Sequence, residues 1–314
     1  MLLSRVAADI YWLARYTERA ENTARILDVS SRLASLPSTY GGATNEWESA
    51  MIASGGEALF REKYDEANRR NVLHFMAFDA DNPSSIYSCL DIARQSARAV
   101  RTAITREMWE AINDAWMELR RYSVDTMSPR QLAEFLQLVK EACIRFDGSA
   151  YRTMLRTDAH AFFRLGTFIE RGDATARILD VKYHVLLPES EAVGGGLDYF
   201  QWSSILRAAS ALGAYQWVFR DALRPWRVAE LLILRRELPR SIGNCASEVL
   251  WYLDELANAY GRQGPAQRAG RRWHATLQNT TIDTVYDEGL HEFLSRAIRE
   301  NNALGVAIET QYLR

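Results

Sequence analysis

The chain has 314 residues with 48% hydrophobic and 25% charged content and a formal net charge of -2. That length suits one or two domains with a sizeable core, and the near-neutral balance supplies no field to attract nucleic acid or an anionic membrane. Its three cysteines, Cys89, Cys143 and Cys245, form no C-x-x-C pair, so neither a zinc knuckle nor a disulfide framework is expected, and a reduced, cytoplasmic setting fits best.

The opening stretch sets the expectation for everything after it. From Leu2 to about Leu33, Ile10, Leu13, Thr17, Ala20, Ala24 and Leu27 recur at helical spacing, with Ser4 as the expected N-cap and Pro37 beyond the end. Arg5, Asp9, Arg15, Glu18 and Arg19 interrupt what a signal peptide would need as an apolar region. No apolar run approaches the ~20 residues that span a bilayer. Ala20 and Ala24 would let another helix approach closely.

The same stretch occurs twice. ADIYWLARYTERAENTARILDV (Ala8–Val29) returns as AHAFFRLGTFIERGDATARILDV (Ala159–Val181). Glu18 aligns with Glu170, Arg19 with Arg171, Glu21 with Asp173 and Thr23 with Thr175. Trp47 answers Trp202, as Leu36-Pro37 answers Leu187-Pro188, and Pro83, Ser85, Ile86 and Cys89 answer Pro239, Ser241, Ile242 and Cys245. A repeated helical unit is the natural reading, with halves of about 1–150 and 151–314 in a single domain.

Further helices are expected at about 46–60, 62–79, 84–106, 107–122, 129–147, 246–261 and 280–311. Gly261–Arg272 reads as a mobile surface loop or a basic lip over a site, and Glu189–Gly196 as a second low-complexity stretch. With no strand-turn-strand signal, the fold class is all-α, a multi-helix bundle.

On a helix Arg15, Glu18, Asn22 and Arg25 share one face, and Glu21 to Arg25 and Asp173 to Arg177 are i,i+4 pairs. Any one pair alone reads as an intrahelical salt bridge. Recurrence of the set in both copies points instead to a charged network between corresponding helices, either structural or ligand-binding. Arg94, Arg98 and Arg101 form a second basic face in one half only, since Leu250, Asp254 and Ala257 stand at the matching places. They would clamp an anion, neutralise Glu18 and Glu21, or face solvent.

Metal chemistry has little footing, because Glu288–His291 is the lone Glu-x-x-His match. No phosphate-binding loop, dinucleotide fingerprint or nucleophile elbow is present, so no metal and no cofactor is expected. His74, His160, His184, His274 and His291 are scattered, and Trp12, Trp47, Trp109, Trp202 and Trp251 read as core anchors.

SRVAADIYWLARYTERAENTARILDV, FDADNPSSIYSCLDIARQSARAVR, ITREMWEAIN and GGGLDYFQWSSILRAASALGAYQW, in that order, resemble the blocks of the bacterial alpha-E family over essentially the full chain. Arg19-Ala20-Glu21-Asn22 stands as in that family's opening signature, whereas Ala93-Arg94-Gln95-Ser96 departs from its usual Ala-Arg-Glu-Asn run. The resemblance implies an all-helical protein encoded beside, or fused to, a circularly permuted ATP-grasp ligase-like protein, often with a transglutaminase-like protein. It thereby implies participation in ATP-dependent amide or peptide-bond chemistry.

Two functional readings follow. In the first, the chain is a helical partner that binds the ligase or a peptide-like or anionic small ligand. Its polar centre would be Arg15, Glu18, Arg19, Glu21, Asn22, Arg25, Glu170, Arg171, Asp173 and Arg177, with Arg94, Arg98 and Arg101 as anion contacts. In the second, it is an amide-forming or amide-cleaving transferase with Glu18 or Glu170 as general base. A scaffold with a charged core and no ligand is the plainest alternative.

Overall fold

A computed structural model describes residues 2–35, 46–184 and 195–314. Among the described residues there are fifteen α-helices and no strand. The first half holds α1 (Ser4–Leu33), α2 (Glu46–Ser54), α3 (Glu57–Arg61), α4 (Arg69–Leu73), α5 (Ile86–Ala99), α6 (Arg106–Leu119) and α7 (Pro129–Thr153). The second holds α8 (Asp158–His184), α9 (Gly196–Ala208), α10 (Leu212–Phe219), α11 (Pro225–Ile233), α12 (Ile242–Tyr260), α13 (Pro265–Gln278), α14 (Ile282–Glu288) and α15 (Leu290–Ile308).

Helices α1 and α8, which carry the repeated stretch, lie side by side at the centre. The Leu2 amide donates to Asp158, Arg171 reaches Glu18 and Arg19 reaches Glu170, so contacts keep sequence separations of 156, 153 and 151. A near-constant offset means the two helices run parallel. Each is covered on nearly every side: all residues from Ala20 to Leu27 are buried, as are those from Leu165 to Ala176. Gly166 permits the closest approach, since a Cβ there would lie 2.3 Å from the Tyr11 carbonyl oxygen. Helix α5 packs on α1 and α12 on α8. Both begin with a serine cap, Ser85 accepting from the Ser88 amide and Ser241 from the Asn244 amide.

Several expected boundaries move, each for a local reason. The N-cap of α1 is Leu3 rather than Ser4, and that end is tied down through Asp158, which also accepts from the Tyr260 hydroxyl at 2.9 Å. The segment 46–60 breaks at Gly55, whose φ of +76° ends α2. Only Arg69–Leu73 and a π-helical turn at His74–Phe78 are helical within 62–79. The run 84–106 stops at Ala99, beyond which β-branched Val100, Thr102, Ile104 and Thr105 disfavour helix and Thr105 caps α6.

The supposed mobile loop Gly261–Arg272 is in large part helix. Pro265 opens α13, Gln267 folds back on the Gly264 amide, and Ala266, Gly270, Trp273 and Leu277 bury one face. The segment 280–311 divides at Gly289, with φ of +97°. Leu36-Pro37, Leu187-Pro188 and most of Glu189–Gly196 lie outside the described residues. No helix of the described residues is long and apolar enough to cross a membrane. Trp47 and Trp202 are buried, whereas Trp251 is more than half exposed and anchors no core.

Candidate functional site

The charged stripe of α1 is not a solvated face. Its residues meet their counterparts on α8 in a crossed exchange of Glu-Arg dipeptides. Arg171 donates to both carboxylate oxygens of Glu18, through Nη2 and, at 3.2 Å, through Nε. Arg19 donates to Glu170 Oε1 at 2.6 Å and Oε2 at 3.0 Å, and Arg15 adds a bond to Oε2 at 2.8 Å. Bidentate guanidinium–carboxylate pairing of this kind is among the strongest polar contacts available to a buried charge.

The exchange continues at the next turn. Arg25 pairs with Glu21 on its own helix and donates to the Ala208 carbonyl and, at 2.9 Å, to Ser210 Oγ. Arg177 pairs with Asp173 and donates to the Ala53 carbonyl at 3.2 Å. Arg25 and Arg177, which align in the repeat, therefore each close on a helix end in the other half. The receiving turns match as well: Gly55 after α2 and Ser210 after α9 both have positive φ, 76° and 55°.

Electrostatics follows from this wiring. Burial alone would raise the Glu170 pKa, but Arg19 and Arg15 outweigh it and hold the carboxyl at about 2. Burial opposes ionisation of Glu18 too, and Arg171 with Arg240 still lowers its pKa. The three thiols go the other way: burial pushes Cys89 and Cys245 up to about 12 and Cys143 well above its ordinary value. They are buried as small apolar groups, not poised as nucleophiles.

The expected site residues divide into three sets. Arg15, Arg19, Asn22, Glu170, Asp173 and Arg177 line one cavity of about 330 Å³, together with Thr23, Gly55, Met76 and Ser84. Glu18, Glu21, Arg25 and Arg171 gather in a packed cluster with a further arginine, Arg240. Arg94, Arg98 and Arg101 belong to neither. Arg94 bonds Asn113 Oδ1 at 2.9 Å, Arg94 and Arg101 lie over the Trp109 ring, and Arg98 and Arg101 are exposed. Because α5 ends at Ala99, Arg101 is not on the helical face with the other two. The charge of Glu18 and Glu21 is met by Arg171, Arg25 and Arg240 instead.

Two lining groups of the cavity are unusual. Asn22 Oδ1 and Asp173 Oδ1 are buried acceptors with no hydrogen-bond partner. Burying such groups without a donor costs about 1–3 kcal/mol, more when charged. The exposed lining residues Gly55, Pro83 and Asn302 mark the solvent edge.

Arg240 went unrecognised in the sequence. The available signal was its place in Pro239-Arg240-Ser241, aligned with Pro83-Ser84-Ser85, where only one copy carries an arginine. Glu288 and His291, the lone Glu-x-x-His pair, separate: Glu288 pairs with Arg296 and His291 with Asp180. No group of three or more metal-ligating side chains gathers among the described residues.

A family model named Alpha-E, described as a predicted alpha-helical domain with a conserved ER motif, matches residues 2–313. Uncharacterized proteins of Mycobacterium bovis and of two Mycobacterium tuberculosis strains, CDC 1551 and H37Rv, are each 27% identical over 191 residues, covering 54% of this chain and 21% of theirs. The match thus spans about a fifth of the length of these curated relatives. No solved structure matches the chain.

Proposed function

The chain belongs to the Alpha-E family, and from that premise we propose that it is the helical, ligand-binding component of an ATP-grasp-associated system that forms amide or peptide bonds. Its two halves, about 1–150 and 151–314, act as one domain, with Arg19 and Glu170 of the Glu-Arg dipeptides lining a site and Glu18 and Arg171 packed beside it. The ligand is peptide-like, and the ligation chemistry belongs to a circularly permuted ATP-grasp partner, with a transglutaminase-like protein as a further associate.

The observation that carries this reading is the cavity with two unmet buried acceptors, Asn22 Oδ1 and Asp173 Oδ1. Its volume falls in the range of small-molecule sites, about 300–1,000 Å³. The lining arginines already hold carboxylates, so the demand left in the cavity is for hydrogen-bond donors, which suits a peptide-like ligand better than a bare anion. The relatives add weight, because the matched helical unit is a small part of each much longer chain.

The alternative, catalysis by Glu18 or Glu170 as general base, draws little from this geometry. A carboxylate held at about 2 by two guanidiniums is a weak proton acceptor at neutral pH. Untagged purification from the native host followed by native mass spectrometry tests the proposal. A stoichiometric ATP-grasp partner, lost in an Arg19→Ala variant that stays folded, is expected. A chain recovered alone and turning over a substrate unaided would overturn it.

A further inference from the structure

The place of Arg240 in one half shows what the cavity in the other half lacks. The backbone is held by corresponding threonines at the two positions: Thr175 Oγ1 donates to the Arg240 carbonyl at 2.6 Å, and Thr23 Oγ1 donates to the Ser84 carbonyl at 3.3 Å. From that shared backbone position Arg240 extends its guanidinium to Glu21 and approaches Glu18 at 3.8 Å. Ser84 has no such side chain. The carboxylates aligned with Glu21 and Glu18 are Asp173 and Glu170, and both line the cavity with Ser84 itself.

The consequence appears at the carboxylates. Glu21 Oε1 receives two arginines, Arg25 and Arg240. Asp173 receives only Arg177, on Oδ2, and its Oδ1 is the atom left without a donor. Asn22, beside it on the cavity wall, carries the second unmet acceptor, Oδ1. The void and the two residues with unmet acceptors coincide in one place, and the third arginine of this half, Arg15, serves Glu170 and leaves Asp173 with one.

We infer that the cavity is a seat for a guanidinium group supplied in trans, an arginine side chain of a peptide or a free arginine-type molecule, which takes the position that Arg240 fills in cis. The incoming group donates to Asp173 Oδ1 and Asn22 Oδ1, as Arg240 donates to Glu21. The lining carries three arginines and two carboxylates, with Glu309 paired to Arg15, so the incoming guanidinium is held by the two unmet acceptors and not by an excess of negative charge. A planar fork of donors also discriminates against a simple ammonium, which offers a point charge instead of paired parallel bonds. This inference deepens the ligand-binding reading above and rests on it.

The test is isothermal titration of the full chain with agmatine, with the dipeptide Gly-Arg, and with inorganic phosphate and Gly-Glu as the opposite chemistry. Agmatine and Gly-Arg are expected to bind, with affinity falling about tenfold or more in Asp173→Asn, the loss of one charge-assisted contact. A second variant, Ser84→Arg, places the arginine in cis. It is expected to raise the melting temperature and abolish agmatine binding. Binding of phosphate or Gly-Glu without agmatine would overturn the guanidinium assignment while leaving a ligand site. No binding of agmatine or Gly-Arg overturns the guanidinium assignment whatever Ser84→Arg does to stability, and the ligand-binding reading is then decided separately by the co-purification above.

Discussion

Gly55 and Arg177 fit so closely that a Cβ on the glycine would lie 2.7 Å from an Arg177 guanidinium nitrogen. Arg177 reaches over this turn to the Ala53 carbonyl, and the turn itself needs a φ of +76°. Gly55→Ala therefore combines left-handed strain, about 1 kcal/mol or more, with a shifted arginine at the cavity rim. Urea unfolding is expected to show a loss of about 1–3 kcal/mol. An unchanged midpoint would mean that the turn relaxes without disturbing Arg177.

The crossed pairs predict a strong and coupled response. Glu18→Gln leaves Arg171 and Arg240 facing a neutral group in the protein interior, and breaking a buried pair by removing one partner costs about 3–5 kcal/mol. Removing both charges in Glu18→Gln/Arg171→Gln should cost less than the sum of the single changes, by about 1–3 kcal/mol in a double-mutant cycle. Strict additivity would show that the pair acts only through its separate contacts with neighbours.

Acid should weaken the fold over two pH ranges. Burial, with Arg156 and Arg164 nearby, pushes His160 down to about 4 from its ordinary 6.5, so the fold favours the neutral ring. The stability this permits is complete above about pH 6.5 and is lost as pH falls toward 4. Glu170, held at about 2 against an ordinary 4.5, contributes stability that is complete above about pH 4.5 and disappears as pH falls toward 2. Urea midpoints measured from pH 8 to pH 2 should stay flat, decline below 6.5, and fall more steeply below 4.5. His160→Gln should shrink the first decline, leaving the part due to His274, whose pKa burial and Arg236 also lower, and leave the second unchanged.

The helix crossing at Gly166 offers a test of the central packing. A methyl placed there meets the Tyr11 carbonyl at 2.3 Å and the Ala14 methyl at 3.0 Å. Gly166→Ala should force α1 and α8 apart and lower stability by about 1–3 kcal/mol, despite alanine's better helix propensity. Thermal denaturation that instead rises would refute the close parallel approach.

Thiol chemistry supplies a simpler check. With all three cysteines buried and their pKa values raised, the native chain should react with Ellman's reagent only on the timescale of opening. All three should titrate at once in denaturant. A fast-reacting thiol in the native state would contradict this burial.

Helical periodicity and the repeated stretch were enough to identify an all-α chain and to single out Glu18, Arg19, Glu170 and Arg171. Those residues stand out in sequence because the pattern recurs at fixed spacing in two places. Loop breaks were less legible, since Gly55 and Gly289 act through positive φ that a helical pattern tolerates on paper. Gly261–Arg272 misled for the converse reason: its Gly, Gln and Arg content looks solvated, yet Ala266, Gly270 and Trp273 find a buried partner surface.

Which charges meet which is a matter of distance, and tertiary packing alone decides it. Sequence spacing could pair Glu21 with Arg25 and Asp173 with Arg177, because a helix fixes i and i+4 neighbours. It could not pair Glu18 with Arg171 or Arg19 with Glu170, which depend on two helices running parallel in one register. Nor could it tell that Arg94 and Arg101 lie over the Trp109 ring and that none of Arg94, Arg98 and Arg101 lines the cavity. Local periodicity makes the all-α class, the repeat and the Glu-Arg dipeptides legible, but not every helix, since α9, α10, α11 and α13 fall outside the expected spans. The fold alone decided that Arg240 fills one half of the charged centre while Ser84 leaves the other half open, because that difference exists only where the two halves face each other.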